Sequence, residues 1–266
     1  GAQRRPDWLD KVELSLIEGD VRYFKVGDSA YSHLVHAATD VSYVRQSPLE
    51  LADSIVEGSR HVLDIAARSG VRRYLYFSSG AVLGTLVGPG AVTEESVLAP
   101  PVDALDAYPN AKRYAEHMHL FAFAGPRMPL DKFAIGNFIR DAARCLAPRL
   151  SGSGMSKRSY LYAADAAVWL LVLLTRDRDG QIYNVGSDHA VLLRDLARRA
   201  AELLGSPAPT IPEASAGESV SSYVPDIRRV RDELGLEPSV GLDEIIRRTA
   251  AWAGEAGLFG AQVTSR

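Results

Sequence analysis

"HLVHAATDVSYVRQSPLELADSIVEGSRHVLDIAARSGVRRYLYFSSG", residues 33–80, is the stretch whose reading decides the fold. "YSHLVHAA" (31–38) has a short apolar centre that breaks at a pair of small residues, which predicts a strand. Residues 50–69 place Leu51, Ile55, Val62, Ile65 and Ala66 at helical spacing, and Gly70 stands where that helix must end. "VRRYLYFSS" (71–79) is rich in aromatic and β-branched residues and suits a buried strand. Strand, helix and strand joined by short links make a parallel crossover, so the fold class is α/β.

Upstream, "VELSLIEGDV" (12–21) alternates and stops at Gly-Asp, which predicts a further strand ending in a loop. Beyond residue 126 the texture changes. "LLRDLARRAAELLG" (192–205) reads as an amphipathic helix and "SPAPTIPEASAG" (206–217) as a loop, with Asp226 and Asp243 as N-caps of two more helices. "AAVWLLVLL" (166–174) is the longest apolar run; it falls well short of the ~20 residues a membrane span needs and predicts a buried helix instead.

The 266 residues are 47% hydrophobic and 24% charged, ordinary values for a globular chain with a sizeable core. A formal net charge of -3 gives no basic field for a phosphate backbone, so nucleic acid is not an expected partner. Cys145 is the only cysteine, which excludes an internal disulfide and predicts a quiet helix residue. With no basic-then-apolar leader at residue 1, the expected setting is cytoplasmic, with no membrane partner. His33, His36, His117 and His119 lack the spacing and the carboxylates of a metal site, and none is expected; His36 is expected to pack at a strand end.

"AYPNAKRYAEH" (107–117) carries the first chemical signal. Proline is tolerated in the first turn of a helix, so Pro109 places Tyr108 at the helix entrance and Lys112 one turn on, along the same face. A tyrosine with a pKa of about 10 is a poor base at neutral pH. A neighbouring ammonium favours the phenolate, and the helix entrance adds positive dipole in the same sense. The spacing alone also occurs on solvated helix faces. Upstream, Ser78 and Ser79 stand where the third strand runs out, the place where an open parallel sheet binds its ligands, although the pair alone reads equally as turn chemistry. Ser79 is placed to hydrogen-bond the oxygen that Tyr108 would deprotonate, and Ala37 and Ala38 end the second strand without side-chain bulk.

At this point the sequence resembles the extended short-chain dehydrogenase/reductase family, the nucleotide-sugar epimerases and dehydratases. The resemblance runs in order through "GDV" (19–21), "HLVHAA" (33–38), "SSGAVLG" (78–84), "YPNAK" (108–112), "AGPR" (124–127), "RSYLYAAD" (158–165) and "YNVGS" (183–187). It implies a Rossmann-like doubly wound parallel sheet with a smaller, mostly helical C-terminal substrate lobe. The NAD-binding domain would span 1–125 and the lobe 126–266, with 158–187 returning to the main domain. The resemblance makes Ser79, Tyr108 and Lys112 a catalytic triad, with Lys112 also on the nicotinamide ribose. It sets Asp20 and Val21 against adenine, and Ala37, Ala38 and Ser78 along the cofactor. Arg158 and Asn137 match substrate-side positions; Arg158 by itself reads equally as a surface ion pair. NAD is the expected cofactor, with NADP open; a nucleotide sugar is the expected substrate and a homodimer the expected assembly.

Two departures qualify the resemblance. The family opens with a strand and a Gly-rich turn that holds the pyrophosphate, and these 266 residues begin instead with "GAQRRPDWLDKVEL", similar to the segment after the family's second strand. The stretch after Lys112 is also short. Omission of segments is the expected explanation, natural degeneracy the other. In the family's sugar 4,6-dehydratases an Asp-Glu pair follows the strand-end hydroxyl; Gly80 and Ala81 stand there here, which favours epimerase-type chemistry over elimination, with decarboxylation or ketone reduction open. A non-catalytic dinucleotide sensor is the reading of another class.

Overall fold

The computed structural model describes residues 14–27, 29–38, 47–83, 91–96, 111–112, 119–176, 181–214 and 220–259. Its centre is the unit read from 33–80. Strands β1 (His33–His36) and β2 (Arg73–Tyr76) pair in parallel, register His36 to Tyr76, across helix α1 (Pro48–Arg68). The start of α1 is fixed by a capping box: Ser47 Oγ accepts from the Glu50 amide at 3.2 Å, and the Glu50 carboxylate accepts from the Ser47 amide at 3.1 Å, with Pro48 as the first helical residue. Gly70, in the left-handed region at φ 68°, turns the chain back into β2.

Two further short parallel pairs form ladders of their own. β3 (His119–Leu120) runs beside β7 (Asn184–Val185), and β4 (Phe123–Ala124) beside β6 (Leu161–Tyr162). The links in between hold the same pairing, since the Phe121 amide donates to Val185 O at 2.9 Å and the Leu161 amide to Ala122 O at 3.1 Å. Helix α3 (Ala163–Thr175) follows β6 and buries Ala166 and Trp169 in a core with Leu75, Leu161, Tyr183, Val185, Ile227 and Val230, the last from helix α5 (Arg228–Leu234).

A second core is almost wholly helical. α2 (Ala134–Ala143), α4 (Leu193–Leu204) and α6 (Leu242–Glu255) bring together Ile135, Phe138, Ile139, Leu196, Ala200, Ile245 and Ile246. A small sheet, β8 (Val191–Leu192), β5 (Lys157–Arg158) and β9 (Ser222–Tyr223), joins three segments distant in sequence.

Five expectations are corrected. Residues 14–18 form no strand: among the described residues no ladder partner faces them, and Leu14, Leu16 and Ile17 stay about half exposed, so alternation alone has nothing to pair with. The run 166–174 is helical but only one side is buried, with Val168 55% and Leu171 60% exposed. Gly241, not Asp243, is the N-cap of α6; Asp243 sits in its first turn and binds Arg199 of α4. Cys145 lies beyond α2 at φ 57°, exposed, because the helix has already ended at Ala143. Ile227, not Asp226, is the N-cap of α5; Asp226 stands one residue before it, its Oδ1 accepting from the Arg228 amide at 2.9 Å. No helix among the described residues is long and apolar enough to cross a membrane.

Candidate active site

The C-terminal ends of β1 and β2 meet at one point. The Phe77 amide donates to His36 O at 3.0 Å, extending the ladder by one residue, and the Phe77 carbonyl accepts from Lys112 Nζ at 2.8 Å. Lys112, in a helical turn with Ala111, is 2% exposed, and burial pushes its pKa down to about 8. Ala111 anchors that turn against Leu51 and Ile55 of α1. The lysine is therefore delivered to the strand ends by a helical turn that Ala111 packs on α1.

Immediately after Phe77 come the two serines. Ser78 Oγ is buried with no hydrogen-bond partner among the described residues. Ser79 is half-buried, and its Oγ accepts from the Ala81 amide at 3.2 Å as the chain enters a 3-10 turn over Gly80–Leu83. Below them, His36 is buried, its Nε2 3.3 Å from Ser59 Oγ of α1. Burial first, and then the charge of Lys112, push the His36 pKa down to about 4, so the ring is neutral at physiological pH.

Gly80 is tightly enclosed. A Cβ there would lie 2.7 Å from both Phe121 Cε1 and Tyr223 Oη, whose rings pack against each other with centroids 4.9 Å apart and planes tilted by 42°. Tyr223 belongs to β9 and is the register partner of Arg158 on β5. The strand-end loop is thus in contact with the small sheet that carries Arg158.

The remaining predicted site residues divide. Ala37 and Ala38 come directly after His36 and are exposed, as a surface for a flat ligand requires. Asp20 turns its carboxylate onto Arg22, accepting from the Arg22 amide at 2.9 Å and from Nη2 at 2.6 Å, which holds it well below the usual carboxylate range. Val21 points at α1, where Gly58 leaves room for it; a Cβ at Gly58 would lie 2.7 Å from Val21 Cγ1. Arg158 is half-buried and engaged, donating to Lys157 O at 2.7 Å and to Ser221 Oγ at 3.0 Å. Asn137 is half-buried on α2. Tyr108 lies outside the described residues. Serines 78 and 79, Lys112 and the two alanines therefore share the strand ends, while Val21 lies against α1, Asp20 is held by Arg22, and Arg158 and Asn137 belong to other elements.

Two features escaped the sequence reading. Tyr76, buried beside Lys112, was visible only as one more aromatic in a strand. Asn184 is a buried clasp: its Nδ2 donates to Val92 O at 2.8 Å and Asp226 O at 3.0 Å, and its amide donates to Glu94 Oε1 at 2.8 Å. "YNVGS" carried this residue, but nothing local to it names partners so far along the chain.

The arrangement suits a nicotinamide dinucleotide. An ammonium with one hydrogen bond among the described residues, an orphaned serine hydroxyl and a side-chain-free strand end lie together, which are groups able to meet ribose hydroxyls and a flat ring.

Comparison with known proteins gives the same picture. The NAD dependent epimerase/dehydratase family model matches residues 3–186. UDP-glucuronic acid decarboxylase 6 of Arabidopsis thaliana is 27% identical over 255 residues, covering 89% of this chain and 73% of that protein. Among solved structures, MoeE5 in complex with UDP-glucuronic acid and NAD superposes with a TM-score of 0.76 at 22% identity, covering 90% of this chain and 85% of that one. The UDP-glucose 4-epimerase of Thermotoga maritima with UDP-glucose gives 0.73 at 20% identity, covering 84% and 77%. These two structural likenesses speak for the fold, a Rossmann-type α/β architecture.

Proposed function

Because the chain belongs to the NAD-dependent epimerase/dehydratase family, we propose that it oxidises a hydroxyl of a nucleotide sugar with NAD and is of epimerase type. The observation that carries this reading is the buried Lys112 ammonium at the end of β2, on the carbonyl that immediately precedes Ser78 and Ser79. NAD, when bound, supplies the hydride acceptor. The chain supplies the rest. Lys112 and Ser78 hold the nicotinamide ribose, with Ala37 and Ala38 along the cofactor. Tyr108 takes the proton from the sugar hydroxyl, Lys112 lowers the cost of its phenolate, and Ser79 holds the sugar oxygen. Arg158 and Asn137 face the nucleotide and the sugar, and Asp20 and Val21 lie toward adenine.

Epimerisation needs no further acid or base. An elimination does, and Gly80 and Ala81 carry no group that moves a proton. The chain divides into a cofactor domain (1–125, with 158–187) and a substrate lobe; two separate apolar clusters, around Trp169 and around Ile245, support two units, with Ile227 and Val230 packing on the first. Leu49 and Leu63, exposed on α1, support pairing of two chains through that helix and the one bearing Lys112. The single cysteine fits a cytoplasmic setting.

Tyr108→Phe tests the reading: turnover of a nucleotide-sugar panel should vanish while NAD affinity changes little. Unchanged turnover removes Tyr108 from the chemistry. NAD binding without turnover of any sugar would instead support a dinucleotide sensor.

A further inference from the structure

The side of β2 that faces Lys112 ends in an aromatic ring. Leu75 turns into the core around Trp169, and its neighbour Tyr76, 1% exposed, turns to the opposite face. Lys112 Nζ lies over the Tyr76 ring, 4.9 Å from its centroid, while the same nitrogen donates to Phe77 O. The ring of His36, the register partner of Tyr76, also packs against it, with centroids 5.2 Å apart and planes tilted by 52°.

We propose that Tyr76 is a positioning residue for Lys112: its ring face and the Phe77 carbonyl form a seat that fixes the ammonium at the strand ends. A buried ammonium loses its hydration and needs negative electrostatic potential from somewhere. One carbonyl provides part of it. The face of an aromatic quadrupole provides more without consuming an N–H, so the remaining donors stay available for a ligand. A carboxylate would hold the charge better but would also draw the ammonium into an ion pair and away from the phenol it serves. Among the described residues, the groups that face Lys112 are weakly polar or neutral: Tyr76 from β2, the neutral His36 from β1, which leans on Ser59 of α1, and the apolar Leu51 and Ile55 of α1 against Ala111. A neutral His36 matters, because an imidazolium so close would compete for the same ring.

This inference rests on the proposed role of Lys112 for its bearing on catalysis, but the seat itself is testable in the ligand-free chain. Unfolding equilibria of the wild type, Tyr76→Leu, Lys112→Met and the double variant close a cycle. The loss caused by Tyr76→Leu should be larger with Lys112 present than with Met at 112, by about two- to thirty-fold in the folding equilibrium constant, the range of a cation over an aromatic face. Tyr76→Phe, which keeps the ring, should keep the coupling to Lys112. If Tyr76→Leu does not fold, phenylalanines of increasing fluorination at position 76 replace it, and stability should fall stepwise with fluorination only when Lys112 is present. An additive cycle, or a fluorination series indifferent to Lys112, overturns the seat. In turnover, Tyr76→Leu should lower kcat about ten-fold with the sugar KM unchanged, and Tyr76→Phe should restore it. Coupling in the unfolding cycle together with a wild type that turns over no sugar leaves the seat standing and removes the enzymatic reading instead.

Discussion

The helical cluster of α2, α4 and α6 and the strand-end site are built on opposite terms. The cluster buries Ile135, Ile139, Leu196, Ile245 and Ile246 to complete exclusion of water or nearly so, and its buried hydroxyl Thr249 donates within its own helix to Ile245 O at 2.7 Å. The strand ends instead bury His36, Ser59, Ser78 and Lys112 close to one another, one of these hydroxyls without a partner among the described residues. Each such group costs free energy that apolar packing would not. A chain tolerates that concentration of cost where a ligand completes the hydrogen bonds, and the contrast is what the proposed site predicts.

The contrast is sharpest at Lys112. Replacing it with Met should cut turnover by at least about a hundred-fold if, as proposed, Lys112 holds the ribose and charges the phenol. The same change should raise the melting temperature by a few degrees, as a buried cation gives way to an apolar side chain. A Lys112→Met protein that is both inactive and less stable would erase the distinction between the two regions.

Ile139→Ala reverses the experiment. It should destabilise the chain by about 2–5 kcal/mol in chemical denaturation, through lost burial and the cavity left behind, with turnover per folded molecule retained. A collapse of kcat at full foldedness would show that the helical cluster reaches into the chemistry.

Titration separates the regions more gently. The Lys112 pKa is lowered from 10.5 to about 8, so between those values the unfolded chain binds more protons than the folded one, and stability rises as pH rises through that window. Lys112→Met should lack that rise. On the acid side, His36 is lowered from 6.5 to about 4, so its contribution is complete above 6.5 and is lost as pH falls toward 4. Melting temperature against pH reads both, and a His36→Leu variant should flatten the acid limb between 6.5 and 4. The smallest effect belongs to the cluster's surface: Arg199 binds Asp243 and Glu202 on exposed faces of α4 and α6, and Arg199→Ala should lower the melting temperature least of these variants, and less still in high salt.

The crossover of β1, α1 and β2 was legible because its side chains obey the two periods that a helix and a strand impose, and Gly70 marked the turn between them. The capping box at Ser47 and Glu50 was equally local, a Ser-x-x-Glu pattern with Pro48 inside it, and went unread. What failed was everything that depends on a neighbour. Residues 14–18 alternate like a strand, yet alternation sets only which face is apolar and cannot supply the second half of a ladder. The run 166–174 is apolar on all sides, so its exposed Val168 and Leu171 could not be told from its buried Trp169 without the core around Leu161 and Tyr183. Within the site, Ser79 and Lys112 were named by spacing and resemblance, while Tyr76 was not, because a seat for a cation so far along the chain leaves no mark in the strand that provides it.

Gly80 bears on how this scaffold could change its chemistry. The hydrogen it presents in place of a side chain lets an aromatic pair from other parts of the chain close over the backbone. Grafting an acidic group there is consequently not a one-letter edit: Phe121 and Tyr223 would have to be trimmed in the same step, and with them the contact that links the serine loop to the strand beside Arg158. An acidic side chain at position 80 would thus need coordinated replacements at positions 121 and 223, which single mutations do not supply.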